Sequence, residues 1–298
     1  MSVLTKIRFI LYILICPCLV SIHAQESGPP PELELVSIHV LANYQDRFDF
    51  SGIVMDQQGY LAIADKQWNQ YAYNIEIDSN YWYITDSVKL GLTNNTDLEG
   101  IDFCDEGGIY FIDEKFNRAY LYDGLTDSQI IFNKGLLRDG LKWGTNSGLE
   151  GLAVDCERKV LYLAKERDPG FIVIYDLEGE RILDILNLPD ANGDVSDLKY
   201  ENGFLYLLER AENYITKINV NTKQIVAKVS YKEVCSNPAG KLYSHTPYGL
   251  AEALLLTDEE IWIGLDNNGL PFSSHARQAY QLSGNQPLLI KFKRPDGF

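Results

Sequence analysis

The chain has 298 residues, of which 42 are acidic and 26 are basic, so its formal net charge is -16 at pH 7. This balance argues against nucleic acid and anionic membrane surfaces as partners, because contacts to phosphate need a basic face. A cation or a cation-bridged ligand is the more natural partner, although acidic surfaces are also ordinary in exported proteins.

The first 24 residues have the pattern of a cleaved secretory signal. Lys6 and Arg8 precede an apolar run from Phe9 to Ile22, and Ala24 supplies a small residue before a cut. The run is too short and too close to the N-terminus to favour a membrane span. We therefore predict a periplasmic or secreted protein with no membrane span after cleavage, a disordered leader at residues 25-32 and one domain at residues 33-298.

A hairpin signal then recurs five times along the chain. Each copy opens one hydrophobic strand on a small or acidic residue and closes a second strand on a charged residue 14 to 16 positions later. The openings are Ser51, Glu99, Glu150, Ser196 and Glu252. The paired closings are Asp65, Glu114, Glu166, Arg210 and Asp266. Strand-forming residues split by turn residues at a period of 46 to 56 positions predict a β-propeller.

The runs between the hairpins predict an all-β fold, a single propeller of five four-stranded blades. Two more strand-like runs follow most hairpins, which gives the four strands of a blade. The last repeat is one strand short, while an alternating run from Leu33 to Leu41 precedes the first repeat. We predict that this N-terminal strand completes the C-terminal blade and closes the ring. Six blades are possible if one blade lacks the signal.

Three cysteines follow the signal segment. Cys104 and Cys156 both lie at the far end of a first strand, in adjacent repeats. Their turns could be close enough for a disulfide in an oxidising compartment, and two free buried thiols are the alternative. Cys235 has no evident partner.

Acidic residues dominate the ends of the hairpins. In a hairpin, the start of the first strand and the end of the second lie together, so the openings and closings ring one mouth of the channel. Seven of them are predicted metal ligands: Asp65, Glu99, Glu114, Glu150, Glu166, Glu252 and Asp266. Calcium suits such a set of oxygen ligands in an exported protein. Alternatively, the openings bond to backbone N–H groups between blades and the closings pair with Arg or Lys.

Loops at the same mouth carry further candidates. His245 and His275 could act as bases beside a metal-bound water. Arg210, Asn146 and Trp143 are candidate substrate contacts, although Arg210 could instead neutralise the acidic ring and Asn146 could give the metal a neutral oxygen.

With these motifs in place, the chain resembles the SdiA-regulated family of exported bacterial propellers and, more distantly, the esterase-like phytase propeller domain. The segments that carry the resemblance are Asp97 to Ile101, Ile112 to Glu114, Asn146 to Ala153, Lys165 to Pro169, Asp194 to Ser196 and Ala251 to Ala253. The resemblance implies a calcium-associated propeller in the periplasm or outside the cell. Ala253 and Arg210 depart from the family pattern, which has glycine and an acid at these positions.

Two functions follow from the sequence. The favoured one is a monomeric binding or scaffold propeller, with a metal ion and an unknown small molecule or envelope protein as partners. The alternative is a calcium-dependent hydrolase of phosphoesters, carboxylic esters or lactones. Propellers host unrelated activities, so the fold does not choose between them.

Overall fold

The computed structural model describes residues 28-42, 47-65, 70-92, 96-137, 147-188, 194-235, 241-244 and 250-298. The chain divides into two units, Met1–Pro30 and Pro31–Phe298. The first unit is described only at residues 28-30. Across the described ranges, no helix is long and apolar enough to cross a membrane.

The second unit is an all-β propeller, as predicted. Blade 1 contains β2 (Asp49–Met55), β3 (Tyr60–Asp65), β4 (Tyr71–Asp78) and β5 (Tyr81–Lys89). Blade 2 contains β6 (Leu98–Cys104), β7 (Gly108–Asp113), β8 (Arg118–Tyr122) and β9 (Gln129–Asn133). Blade 3 contains β10 (Leu149–Asp155), β11 (Val160–Lys165), β12 (Phe171–Asp176) and β13 (Arg181–Asn187).

The remaining strands complete the ring. Blade 4 contains β14 (Val195–Glu201), β15 (Phe204–Glu209), β16 (Tyr214–Asn219) and β17 (Gln224–Ser230). Blade 5 contains β18 (Ala251–Leu256), β19 (Glu260–Leu265), β20 (Leu288–Lys293) and β1 (Leu35–Ala42). Two short α-helices, α1 (Lys232–Cys235) and α2 (Ser274–Tyr280), lie between strands of this part of the chain.

The first strand of each blade lines the centre, and these strands contact one another in a closed cycle. The cycle runs β2, β6, β10, β14, β18 and back to β2. A separate apolar cluster fills each junction between adjacent blades; for example, Phe50 and Trp82 of blade 1 pack with Trp262 and Leu289 of blade 5. The core is therefore distributed between the blades, and this packing fixes where each first strand begins.

The N-terminal strand β1 closes the ring, as predicted, and it does more than complete blade 5. It pairs antiparallel with β20 of blade 5 and then parallel with β5 of blade 1, where Val40 lies opposite Tyr81. Before β1, the Leu33 amide donates to the carbonyl of Ser230 in blade 4 over 2.7 Å. We call residues 31-42 the strap, because this segment contacts three blades.

His39 of the strap is a buried titratable group at the closing seam. Only 5% of its surface is exposed, and its Nε2 lies 2.7 Å from the hydroxyl of Ser37. Burial, aided by the charge of Lys291 and opposed by that of Glu260, lowers the pKa of His39 to about 4. The folded protein therefore favours the neutral imidazole.

This lowered pKa gives a pH-dependent stability. A neutral His39 contributes fully above a pH of about 6.5, and the contribution is lost as the pH falls towards 4. As the pH falls from 7 to 4, we expect the free energy of unfolding of the parent to fall by about 3 kcal/mol more than that of the His39→Leu variant. Urea unfolding at these pH values measures the difference, and parallel stability curves would contradict it.

The channel between the first strands is crossed by a lysine. Lys199 of blade 4 donates from its Nζ to the carbonyl of Ile101 in blade 2 over 2.7 Å, and lies 3.4 Å from the carboxylate of Asp197. Asp197 also accepts from the Leu254 amide, and Asp102 accepts from the Val154 amide. These side chains satisfy backbone groups on the inner edges of the first strands, which have no further strand to pair with.

Cys104 and Cys156 form a disulfide that joins the hairpin turns of blades 2 and 3. The sequence left open a disulfide or two free thiols, and the structure contains the disulfide. Cys235 is a free thiol. Burial raises the pKa of this thiol well above its usual range, so it is a weak nucleophile.

Candidate functional site

The openings and closings of the hairpins meet at one mouth of the channel. In four blades, the backbone N–H of the closing residue donates to the carbonyl two residues before the opening, over 2.9 to 3.0 Å. These bonds join Glu114 to Asp97, Glu166 to Gly148, Arg210 to Asp194 and Asp266 to Leu250. In blade 1, Asp65 lies opposite Asp49 in the β2-β3 ladder. The common mouth that the sequence predicted is therefore present.

Each opening residue occupies a β-bulge, which the sequence analysis missed. The pairing register shifts at the opening in all five hairpins, because the first strand carries one extra residue. A bulge re-aims a side chain and bends the strand. The glycine after Glu99 and after Glu150 was the available signal, because a Cβ on Gly100 would lie 2.7 Å from the carbonyl oxygen of Glu150 in the next blade.

The two serine openings hold neighbouring blades together. Ser51 donates to the carbonyl of Leu98 over 2.7 Å, and Ser196 donates to the carbonyl of Ala251 over 2.6 Å. Each acceptor is the residue just before the opening of the following blade. These positions therefore serve inter-blade contacts, although the serines bond to backbone carbonyls and not to the N–H groups of the alternative that the sequence left open.

The first group of acids lies at blades 1 and 2. It consists of Asp65, Asp97 and Glu99, each of which has a carboxylate oxygen within 4.8 Å of an oxygen of the other two. Atoms bound at 2.3 to 2.6 Å from one calcium ion are at most roughly 5 Å apart, so this spacing suits a shared ion. The sequence analysis included Asp65 and Glu99 in the metal site and left out Asp97.

Glu99 is the most distinctive member of this group. It is only 8% exposed, and it makes no hydrogen bond or ion pair with any residue in the described ranges. Burial raises the pKa of Glu99 well above its ordinary value, and Glu150 and Asp65 raise it further. A buried carboxylate surrounded by other acids is stabilised either by a proton or by a cation.

The second group of acids lies at blades 2 and 3 and consists of Glu114, Glu150 and Glu166. All three members already have partners, and Glu150 forms an ion pair with Arg210. Glu114 accepts from the Gly148 amide over 2.9 Å, and Glu166 accepts from the guanidinium groups of both Arg167 and Arg210. This group therefore combines the two arrangements that the sequence left open, a metal cluster and an ion-pair network.

Arg210 is the centre of that network. Its side chain is 13% exposed, and it donates to both oxygens of Asp194 over 2.8 and 2.9 Å and to both oxygens of Glu252 over 2.5 and 2.6 Å. Glu150 lies 3.6 Å away. Because the N–H groups of the guanidinium point at acids of the protein, these contacts favour the neutralising role of Arg210 over the substrate contact.

The electrostatics of Asp194 follow from Arg210. Burial alone would raise the pKa of Asp194, but the hydrogen bonds and charge of Arg210 lower it to about 2. For Glu150 and Glu252, burial outweighs the charge of Arg210 and raises the pKa. Asp194 is thus the permanently ionised partner of the guanidinium.

Asp194 and Arg167 were missed as site residues. Arg167 donates to Asp194 over 2.8 Å as well as to Glu166. A signal for Asp194 was present, because an aspartate stands two residues before the opening in three repeats, at Asp49, Asp97 and Asp194. That spacing places the aspartate beside the closing residue of the same hairpin.

Asp266 lies apart from both groups. It accepts from the Asn268 amide over 2.9 Å. Burial raises the pKa of Asp266 well above its ordinary value, and neighbouring Asp49 raises it further. Asp49 in turn accepts from Arg47 over 2.5 Å. Of the seven predicted ligands, two thus lie in the first group together with Asp97, three form the second group, and Glu252 and Asp266 have separate pairings.

A buried lysine holds the loop that carries Glu166 and Arg167. Lys165 is fully buried, and its Nζ donates to the Ser147 hydroxyl over 2.7 Å and to the carbonyls of Arg167 and Pro169. One ammonium group therefore holds two carbonyls of the loop backbone.

We expect the Lys165→Met variant to lower the free energy of unfolding by about 2 to 4 kcal/mol, because it leaves the buried Ser147 hydroxyl and two partly buried carbonyls without this donor. Urea unfolding measures the loss, and hydrogen exchange of residues 166-170 shows whether the loop opens. The control is Lys159→Met, whose ammonium lies at 3.7 Å from Glu106 on the surface; a loss as small as in this control would contradict the role of Lys165.

The predicted catalytic histidines receive no support from contacts. The ring of His275 lies in α2, 6.0 Å from the ring of Tyr280, and makes no hydrogen bond or ion pair with an acid of the mouth that the structure describes. His245, Asn146 and Trp143 lie outside the described residues. Their predicted roles stay predictions.

Comparison with known proteins adds a family and a fold. A model of the family described as SdiA-regulated matches residues 86–234, which is half of the chain. The structure of Myxococcus xanthus glutaminyl cyclase is similar at 12% identity, with 89% of this chain and 97% of that chain covered and a TM-score of 0.56. At this identity the likeness supports the fold alone.

Virginiamycin B lyase from Staphylococcus aureus shows a weaker likeness. It is 14% identical, with 89% of this chain and 76% of that chain covered and a TM-score of 0.46.

Proposed function

Because this chain belongs to the SdiA-regulated family, we propose that it is an exported binding or scaffold propeller whose mouth holds a calcium ion at Asp65, Asp97 and Glu99. The disulfide between Cys104 and Cys156 supports export, because such bonds persist mainly in oxidising compartments. The net charge of -16 supports a cationic partner.

The proposal rests on the burial of Glu99 and on the residues around its carboxylate. Its carboxylate is buried, has no cationic partner in the described ranges, and lies within 4.8 Å of oxygens of Asp65 and Asp97. A proton on Glu99 would relieve part of the repulsion, whereas a divalent ion would offset the negative charge of Glu99 and of its two acidic neighbours together.

Calcium fits this donor set better than a transition metal does. The three side chains offer only carboxylate oxygens, which hard cations prefer, and the group contains no cysteine or histidine. When bound, calcium would supply positive charge that joins the closing of blade 1 to the opening of blade 2. Asp65, Asp97 and Glu99 would hold it, with coordination positions left for water or a ligand.

Binding is favoured over hydrolysis because, within the described ranges, no histidine contacts the acids of the mouth. His275 packs on Tyr280, and no recognisable nucleophile motif is present in the sequence. The hydrolase alternative would regain support if Glu150→Gln abolished hydrolysis of an ester in a broad panel.

The test is calcium titration of the purified chain by calorimetry, after exhaustive chelation. We expect the Glu99→Gln variant to bind calcium about 100-fold more weakly, because the amide removes a charge and one ligand oxygen. Glu106→Gln is the matched control, since the Glu106 side chain is 88% exposed at the opposite end of the same hairpin. Equal affinities of the parent and Glu99→Gln would refute the proposal.

A further inference from the structure

We infer that Arg210 is a resident cation that takes the place of a metal in the second acid group, so that the mouth binds one divalent ion and binds it at blades 1 and 2. This inference rests on the proposed calcium site and extends it by naming the residue that limits its capacity. Without it, two groups of three acids at one mouth would predict two ions.

The contacts of Arg210 resemble those that a metal would make. Its guanidinium bonds to Asp194, Glu252 and Glu166 and lies 3.6 Å from Glu150, so four carboxylates from blades 3, 4 and 5 converge on one positive charge. Bidentate pairs of this kind combine charge with a fixed geometry. The side chain is 13% exposed, so solvent does little to weaken them.

A second guanidinium reinforces the same side of the mouth. Arg167 bonds to Glu166 and Asp194, the two acids that Arg210 also holds. A divalent ion bound by Glu166 would therefore stand next to two fixed positive charges. Like charges at such short range repel strongly where water is scarce, and the second acid group is accordingly closed to a metal.

The first acid group differs from the second in the charges that surround Glu99. The charged neighbours that act most strongly on Glu99 are Glu150, Asp65, Glu252 and Glu114, all of them acids. Glu99 is buried and points into the group without a hydrogen bond or ion pair from any described residue. An added cation is therefore favoured beside Glu99 and disfavoured beside Glu166.

Calcium chloride titration of the full chain tests the inference, with binding measured by calorimetry and bound calcium measured by elemental analysis. We expect one ion per chain. Glu99→Gln should lose binding by about 100-fold, whereas Glu166→Gln should change the affinity by less than about threefold. Circular dichroism of each variant establishes that it is folded before titration.

The outcomes separate this inference from the proposed function. Two ions per chain, or a loss in Glu166→Gln as large as in Glu99→Gln, would overturn the role of Arg210 and leave the calcium site standing. No binding by the parent chain would overturn both. One ion whose affinity depends on Glu99 and not on Glu166 supports both.

Discussion

Replacing Arg210 with methionine is expected to lower the free energy of unfolding by about 3 to 5 kcal/mol at pH 8, because removing one partner leaves buried charges uncompensated. The variant leaves Asp194, Glu252 and Glu166 close together without their shared guanidinium. Urea unfolding followed by circular dichroism measures the loss.

The pH dependence of this loss identifies its origin. In the parent protein the pKa of Asp194 is lowered to about 2, so its ion pair stabilises the fold above a pH of about 4 and is lost as the pH falls towards 2. In the variant the acids can take up protons at higher pH. We therefore expect the difference between parent and variant to shrink between pH 8 and pH 4.

Two further variants serve as controls for Arg210. Arg210→Lys keeps the charge and loses the two-pronged geometry, so its loss should be intermediate. Arg181→Met removes an arginine that is 72% exposed and pairs with Asp176 at the surface, so it should cost less than about 1 kcal/mol. A loss at Arg210 that is no larger than at Arg181, or that is independent of pH, would contradict the charge argument.

Removing the strap is expected to abolish cooperative unfolding. Leu33 and Leu41 are 4% and 3% exposed, and losing a buried leucine side chain costs about 2 to 5 kcal/mol. Together with the lost pairing to β20 and β5, this approaches the whole stability of a typical domain, about 5 to 15 kcal/mol. Calorimetry compares a chain that begins at Pro31 with a shorter chain that also lacks residues 31-42.

A milder pair of variants tests the same point within a folded protein. Leu41→Ala should lower the free energy of unfolding by about 2 to 5 kcal/mol. Val36→Ala, at a position that is 52% exposed on the same strand, should cost well under 1 kcal/mol. If the shortened chain retained a sharp transition at the parent temperature, the strap would be an accessory to the ring and not a part of it.

The propeller was predictable because each repeat has a recognisable local sequence pattern. Each hairpin combines β-branched and aromatic residues with an acidic or glycine turn, and five copies at a similar spacing leave few other architectures. The pairing of the N-terminal strand with the last blade followed from counting strands. Its parallel contact with β5 did not, because Val40 and Tyr81 meet only through the curvature of the closed ring.

The site was predictable as a neighbourhood and not as a set of partners. Strand ends place Glu99, Glu150 and Glu166 at one mouth. Sequence spacing does not show which acids lie close enough to bind one ion and which pair with the same arginine. Arg167 was missed because its contact with Asp194 crosses a blade boundary. The bulges re-aim every opening side chain, and only in blades 2 and 3 does a glycine that packs on the next blade, Gly100 or Gly151, follow the opening glutamate.

The pairing of β1 with β20 also imposes an order on folding. The strand made first has its main partner in the strand made last, since Ile38 lies opposite Ile290 in the ladder. Hairpins of blades 1 to 4 can form from neighbouring segments, but blade 5 waits for a contact that spans almost the whole chain, and such contacts slow folding. Until that contact forms, the strap is therefore an unpaired strand whose leucines, buried in the folded protein, are exposed, and such segments are prone to aggregate.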